Sequence, residues 1–150
     1  MDTEYKCGKN DNKYTGKEIY LAVQRGVNLQ KIKETRGSKF RRHPSSRIDT
    51  FAHINSTEPK YPHAYPFNES KRVKLEFPAE CPPRMGENRQ EFPIIHDGPY
   101  DGGPNNEKYG DERVVYYWDQ ANVAYDGNPI VYYCGMITHE GAKPGGFLKC

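Results

Sequence analysis

The stretch RVVYYWDQANVAYDGNPIVYYCGMITH, Arg113–His139, holds the two strongest β signals in the chain. RVVYYW (Arg113–Trp118) and IVYYCGMITH (Ile130–His139) are dense in β-branched and aromatic residues, which fit a pleated, half-buried surface. Period-two alternation puts Arg113 on one face of its strand with Val115 and Tyr117. The same period puts His139 on one face with Ile137 and Gly135. Further strands are expected at QEFPII (Gln90–Ile95), RVKLEF (Arg72–Phe77) and YPHAY (Tyr61–Tyr65), separated by turn-rich segments such as Cys81-Pro82-Pro83 and HDGPYDGGPNNEKYGD. In YPHAY the alternation lines up Tyr61, His63 and Tyr65 on one face.

Upstream lies one helix. TGKE, Thr15–Glu18, is a capping box, in which the Thr15 hydroxyl and the Glu18 carboxylate each satisfy a free helix N–H. Ile19, Ala22 and Val23 follow at helical spacing. Gly26 either ends this helix or is tolerated at a cost of about 1 kcal/mol, with the helix running on through Ile32. Residues 36–60 have no clear period and read as a long exposed loop. One early helix followed only by strands predicts an α+β fold: an N-terminal helix packed on a twisted antiparallel β-sheet, with long loops. At 150 residues, the expectation is a single domain over 1–150.

Composition agrees. Apolar residues make up 35%, aromatics 13%, and there are 12 tyrosines, which suggests a tyrosine-rich sheet rather than a helical bundle. No apolar run is long enough to span a membrane. The opening MDTEYKCGK lacks a signal-peptide pattern, so the chain is either cytosolic or secreted with its signal already removed. The 4 cysteines, Cys7, Cys81, Cys134 and Cys150, contain no C-x-x-C pair, and no zinc site is expected. Spacing does not choose among their possible pairings, but a bridge near the chain ends would contribute roughly 2–4 kcal/mol. Sequons at Asn55 and Asn68 agree with a secreted, oxidised protein, which is the favoured reading. Net charge is only +2, yet Lys31, Lys33, Arg36, Lys39, Arg41, Arg42 and Arg47 cluster against Glu34 alone. Such a run is either a solvated loop or a loop that grips a polyanion.

A sheet that turns Tyr, His, Glu, Arg and His side chains toward one concavity suits phosphoryl transfer from an RNA 2′-hydroxyl. That reaction needs a base for the 2′-OH proton, an acid for the departing 5′-oxygen and a fixed cation on the phosphorane oxygens. Histidine suits either proton role because it ordinarily titrates near neutrality.

YPHAY, EFPII, DERVVY and GMITHEGAKPGGFLKC, in this order, resemble the signature segments of the secreted fungal guanyl-specific ribonucleases and their α-sarcin-type ribotoxin relatives. YKCGKN is similar to that family's opening strand. The resemblance runs from Cys7 to Cys150 and covers 34–60 and 96–111 poorly. It implies Glu91 as general base with His63 beside it as electrostatic helper or alternative base, and His139 as general acid. It further implies Arg113 on the phosphorane, Tyr61 as a phosphate hydrogen-bond donor and Phe147 packed near the departing oxygen. Glu76, in LEFP, has nearly the same flanks as Glu91, but the residues after Glu91 continue the family pattern. Tyr65 falls on the tyrosine that stacks the base, Glu69 on the carboxylate that reads the guanine edge, and Asn68 where many members carry a second stacking tyrosine. Pro66 lacks the backbone N–H that members place near the base, so a broader purine preference is also expected.

The same resemblance implies bridges Cys7–Cys150 and Cys81–Cys134, no cofactor and no metal. The expected partner is RNA, either single-stranded or a ribosomal RNA loop on the ribosome, with Lys39, Arg41 and Arg42 on its phosphates. A monomer is the default. The alternative is a catalytically weak, ribonuclease-like RNA-binding protein or fungal effector that enters host or target cells; the YKC start is similar to such effectors.

Overall fold

The computed structural model describes residues 3–8, 12–37, 60–65, 77, 81, 89–96, 98–102, 110–140, 142 and 148–150. Of the expected features, Arg72–Glu76, Lys39, Arg41, Arg42, Pro66, Asn68, Glu69, Phe147 and the sequon at Asn55 lie outside the described residues.

The fold is α+β, with one helix packed against antiparallel sheet. Two short strands precede the helix, a correction to its expected N-terminal position: β1 (Glu4–Cys7) and β2 (Asn12–Thr15) form a two-stranded antiparallel sheet. Helix α1 (Gly16–Lys31) follows at once. Thr15 caps it as expected: its hydroxyl accepts from the Glu18 amide at 3.2 Å, and the Glu18 carboxylate accepts from the Thr15 amide at 2.7 Å. Gly26 does not end α1. It lies in the helix interior because a Cβ there would sit 2.6 Å from the Tyr116 hydroxyl, so the close approach of helix and sheet requires glycine. The same hydroxyl donates to Gln30 Oε1 at 2.7 Å.

The main sheet has the order β3-β4-β5-β6-β7, every neighbouring pair antiparallel. Its strands are β3 (His63–Ala64), β4 (Arg89–Pro93), β5 (Glu112–Val123), β6 (Pro129–Thr138) and β7 (Leu148–Lys149). The expected strand at Tyr61–Tyr65 is cut to two residues. Tyr61 instead forms an isolated bridge with Arg36, exchanging two backbone hydrogen bonds of 2.7 Å. The Tyr61–Pro62 peptide is cis. As a consequence Tyr61 and Tyr65 do not share a face: Tyr61 packs in the helix-side cluster and Tyr65 in the other.

Two apolar layers flank the sheet. On the helix side, Ile19, Ala22, Val27 and Leu29 of α1 pack with Phe92, Val114, Tyr116 and Met136. On the opposite face, Tyr65, Val115 and Ile137 pack with the Cys81–Cys134 bridge, Phe77 and Tyr117. A β-bulge sets which residues of β6 face which layer. Val115 pairs with Gly135 but Tyr116 with Tyr133, so Cys134 is the extra residue and the faces exchange there. After the bulge, Ile137 lies opposite Arg113. The disulfides are Cys7–Cys150, with Cα atoms 4.7 Å apart, and Cys81–Cys134, at 5.1 Å. The first ties β1 to the end of β7. No helix among the described residues is long and apolar enough to cross a membrane.

Candidate active site

The sheet register builds the site. His63 of β3 pairs directly with Glu91 of β4, and Glu91 pairs with Val115 of β5. Residues opposite one another in a ladder share a face, so His63, Glu91 and Val115 point the same way, and Arg113, two residues from Val115, points with them. Arg113 pairs in turn with Ile137 of β6. His139 follows two residues later, where its amide donates to the Asp111 carbonyl at 3.0 Å and continues the ladder past the end of β6. Three adjacent strands thus carry His63, Glu91 and Arg113 at register positions of one face of the sheet, the face away from α1, and His139 lies just past the end of β6.

His63 and Glu91 are in contact: Nε2 lies 3.1 Å from Oε1. The Glu91 side chain is 1% exposed and that of His63 12%, so the imidazole lies between the carboxylate and solvent. His63 Nδ1 lies 3.1 Å from the Ala64 carbonyl oxygen. A carbonyl can only accept, so Nδ1 carries a proton. A proton held between Nε2 and Oε1 can then reside on either group, as imidazolium with carboxylate or as neutral imidazole with carboxylic acid. The pair is therefore equipped to take up or release a proton as a unit.

Arg113 is 3% exposed, and its guanidinium is held from several sides. Nε donates to the Tyr61 hydroxyl at 3.0 Å, and Nη1 donates to the carbonyls of Gly110 at 2.6 Å and Glu112 at 2.8 Å. The guanidinium carbon also lies 5.1 Å from the centre of the Tyr61 ring. Tyr61 joins both halves of the site, because its other close neighbour is the His63 ring, stacked at 4.6 Å. Phe92 and Tyr100 meet the Tyr61 ring edge-on at 6.5 Å and 6.3 Å and fix its orientation. Tyr65 is buried against Phe77, 5.7 Å between ring centres, and its amide donates to the Arg89 carbonyl.

The geometry therefore brings Tyr61, His63, Glu91 and Arg113 into one connected group, with His139 just past the end of the neighbouring strand β6. Three contributors had no sequence signal. The Gly110 and Glu112 carbonyls that aim Arg113 and the Ala64 carbonyl that fixes the His63 tautomer are backbone atoms, and only the strand pairing reveals them. Tyr100, packed on Tyr61, fell in a segment read only as a turn-rich loop.

A second charged cluster supports this scaffold from the helix side. Asn12 donates to the buried Glu112 carboxylate at 2.6 Å, and burial together with the Glu112 charge pushes the Tyr14 phenol well above its ordinary range. His96 stacks on Tyr14 at 4.6 Å and lies 3.0 Å from the Glu18 carboxylate. Burial would raise the Glu18 carboxyl, but the Thr15 amide, the His96 ring and the Thr15 hydroxyl outweigh it and hold Glu18 below the usual range.

No family model matches this sequence, and no curated protein does.

Proposed function

We propose that the chain is an endoribonuclease that cleaves RNA by transphosphorylation on the 3′ side of guanine, or of purines more broadly. The observation that carries this reading is the connected Tyr61–His63–Glu91–Arg113 group, with His139 just past the end of the neighbouring strand β6. In the first step the substrate 2′-oxygen attacks phosphorus, and its proton passes to the His63–Glu91 pair. The bond from phosphorus to the 5′-oxygen breaks, and His139 supplies the proton that the departing oxygen needs. Arg113 offsets the charge that builds on the phosphorane oxygens, and the Tyr61 hydroxyl assists it. The product is a 2′,3′-cyclic phosphate, which water opens with the proton roles reversed. All of these steps use side chains alone.

Base preference rests on Tyr65 and on the resemblance of the segment after it, including Asn68 and Glu69. Phe147 would shield the departing oxygen. Two disulfides suit an oxidising compartment, and secretion, with entry into target cells, belongs to the same reading. A ribotoxin-like enzyme that cuts one ribosomal RNA loop is the narrower version, motivated by the basic cluster around Arg41 and Arg42.

The second reading is a catalytically weak, RNA-binding or host-targeting protein on the same scaffold. One observation favours it: Glu91 and Arg113 are almost wholly buried, which restricts their approach to a phosphodiester. Incubation with intact ribosomes, and separately with poly(G), poly(A) and GpC, distinguishes these readings. A single discrete ribosomal RNA fragment identifies the ribotoxin, general degradation the purine-preferring enzyme, and intact RNA throughout the binder.

A further inference from the structure

The helix side of the sheet carries a feature unrelated to the catalytic group. Helix α1 packs mainly over β4 and β5. An open groove of about 660 Å³ is left between α1 and the β6 residues that precede the bulge. Its floor is apolar, formed by Ile19, Val23 and Val27 of the helix and Pro129 and Val131 of the strand. Two tyrosines line it from opposite elements, Tyr20 of α1 and Tyr133 of β6. Both rings present surface to solvent, at 61% and 43% exposure.

The remaining lining groups are polar and selective. Gln24 and Asn28 lie on α1 and Asn128 precedes β6, while Lys31, in the last turn of the helix, is the single charged residue among the described residues that line the groove. Among the described residues no carboxylate lines it directly, and that of Asp126 lies behind Asn128. Gln24 Nε2 donates to the Tyr20 hydroxyl at 3.2 Å, and Asn128 Nδ2 to Asp126 at 2.8 Å, so two of these amides are held in place by neighbours. The volume falls within the ~300–1,000 Å³ of small-ligand sites.

An occupant that matches these walls has a flat aromatic body for the tyrosines and apolar floor. It has hydrogen-bonding edges for the amides and one anionic group for Lys31. We propose that this groove is a binding site for a purine mononucleotide, with the base between Tyr20 and Tyr133 and the phosphate at Lys31. The β-bulge at Cys134 places the groove on the opposite face of the sheet from His63 and Glu91, so this site stands whether or not the chain cleaves RNA.

The test is a titration of ¹⁵N-labelled protein with AMP, with adenosine and ribose 5-phosphate as probes lacking the phosphate or the base. AMP is expected to shift the amide signals of Gln24, Asn28 and Val131 independently of any shift at His63 and Glu91. Tyr133→Ala should weaken AMP binding at these signals about tenfold. Lys31→Glu, an exposed change that leaves the core untouched, should weaken AMP about fivefold and leave adenosine unchanged. Absence of AMP shifts at the groove would overturn the proposal. So would ribose 5-phosphate binding as tightly as AMP, or AMP binding unaltered by Lys31→Glu.

Discussion

His63 Nε2 lies 3.1 Å from Glu91 Oε1 across the register pair that joins β3 to β4, and burial of the carboxylate makes the two residues interdependent. Removing one partner of a buried, hydrogen-bonded charge pair costs more than removing both, because the remaining group loses its compensation. His63→Ala is expected to destabilise the fold by about 3 kcal/mol, and Glu91→Gln by less. In a double-mutant cycle followed by urea unfolding, the pair should show a coupling of about 1–3 kcal/mol. Additive single effects would mean that the contact contributes nothing.

Arg113 and Tyr61 form the second such unit. Tyr61→Phe keeps the ring that stacks on His63 and removes only the hydroxyl that accepts from Arg113 Nε. The expected cost is about 1–3 kcal/mol, read as a lower urea midpoint at unchanged slope. Arg113→Lys should cost at least as much, since an ammonium does not reproduce the fork that reaches Tyr61, Gly110 and Glu112 together. A Tyr61→Phe protein as stable as the parent would show that this hydrogen bond is dispensable.

Much of this framework was legible in the sequence because residue type and strand position agreed. Val114, Val115, Tyr116 and Ile137 are β-formers that also fill the two apolar layers. The capping box at Thr15–Glu18 is a local device and formed as read. What local pattern missed was set by partners distant in the chain. Asn12–Thr15 is polar and becomes a strand by pairing with Glu4–Cys7, while its Asn12 and Tyr14 are drawn to the buried Glu112. Alternation in Tyr61–Tyr65 failed at Tyr61 because Arg36 captures its backbone. Within its strand the face of Arg113 was readable, but its pairing opposite Ile137, which brings the end of β6 and His139 beside it, depends on the ladder and on the bulge at Cys134. The groups that aim Arg113 and fix the His63 tautomer are carbonyls, which carry no residue signature.

Acid stability should report Glu18. Its folded carboxyl titrates below its ordinary value of 4.5, so its contribution is complete above that pH and is lost as pH falls through the lower folded value. Glu18→Gln should therefore lose stability relative to the parent at pH 6, and the difference should shrink on acidification below pH 4.5. Thr15→Ala, which removes the hydroxyl cap, should cost about 1 kcal/mol. Parallel acid limbs for the Glu18→Gln and parent proteins would dismiss the His96–Glu18–Thr15 contacts as a source of stability.

If the basic cluster grips phosphates, reversing Arg41 and Arg42 to Glu should weaken binding to long RNA and lower the slope of log affinity against log salt by about 2. Cleavage of a dinucleotide should not change. An unaltered salt slope would assign these residues to a solvated loop.

The central claim is that Glu91 with His63, and His139, serve as the proton-transfer groups of one phosphodiester cleavage. The most direct measurement is ³¹P NMR of GpC incubated with the parent protein, Glu91→Gln and His139→Gln, each shown to be folded by near-ultraviolet circular dichroism. The parent is predicted to give guanosine 2′,3′-cyclic phosphate, and each variant to form it at least about 100-fold more slowly. Full activity in both folded variants, or no cyclic phosphate from the parent, would contradict it.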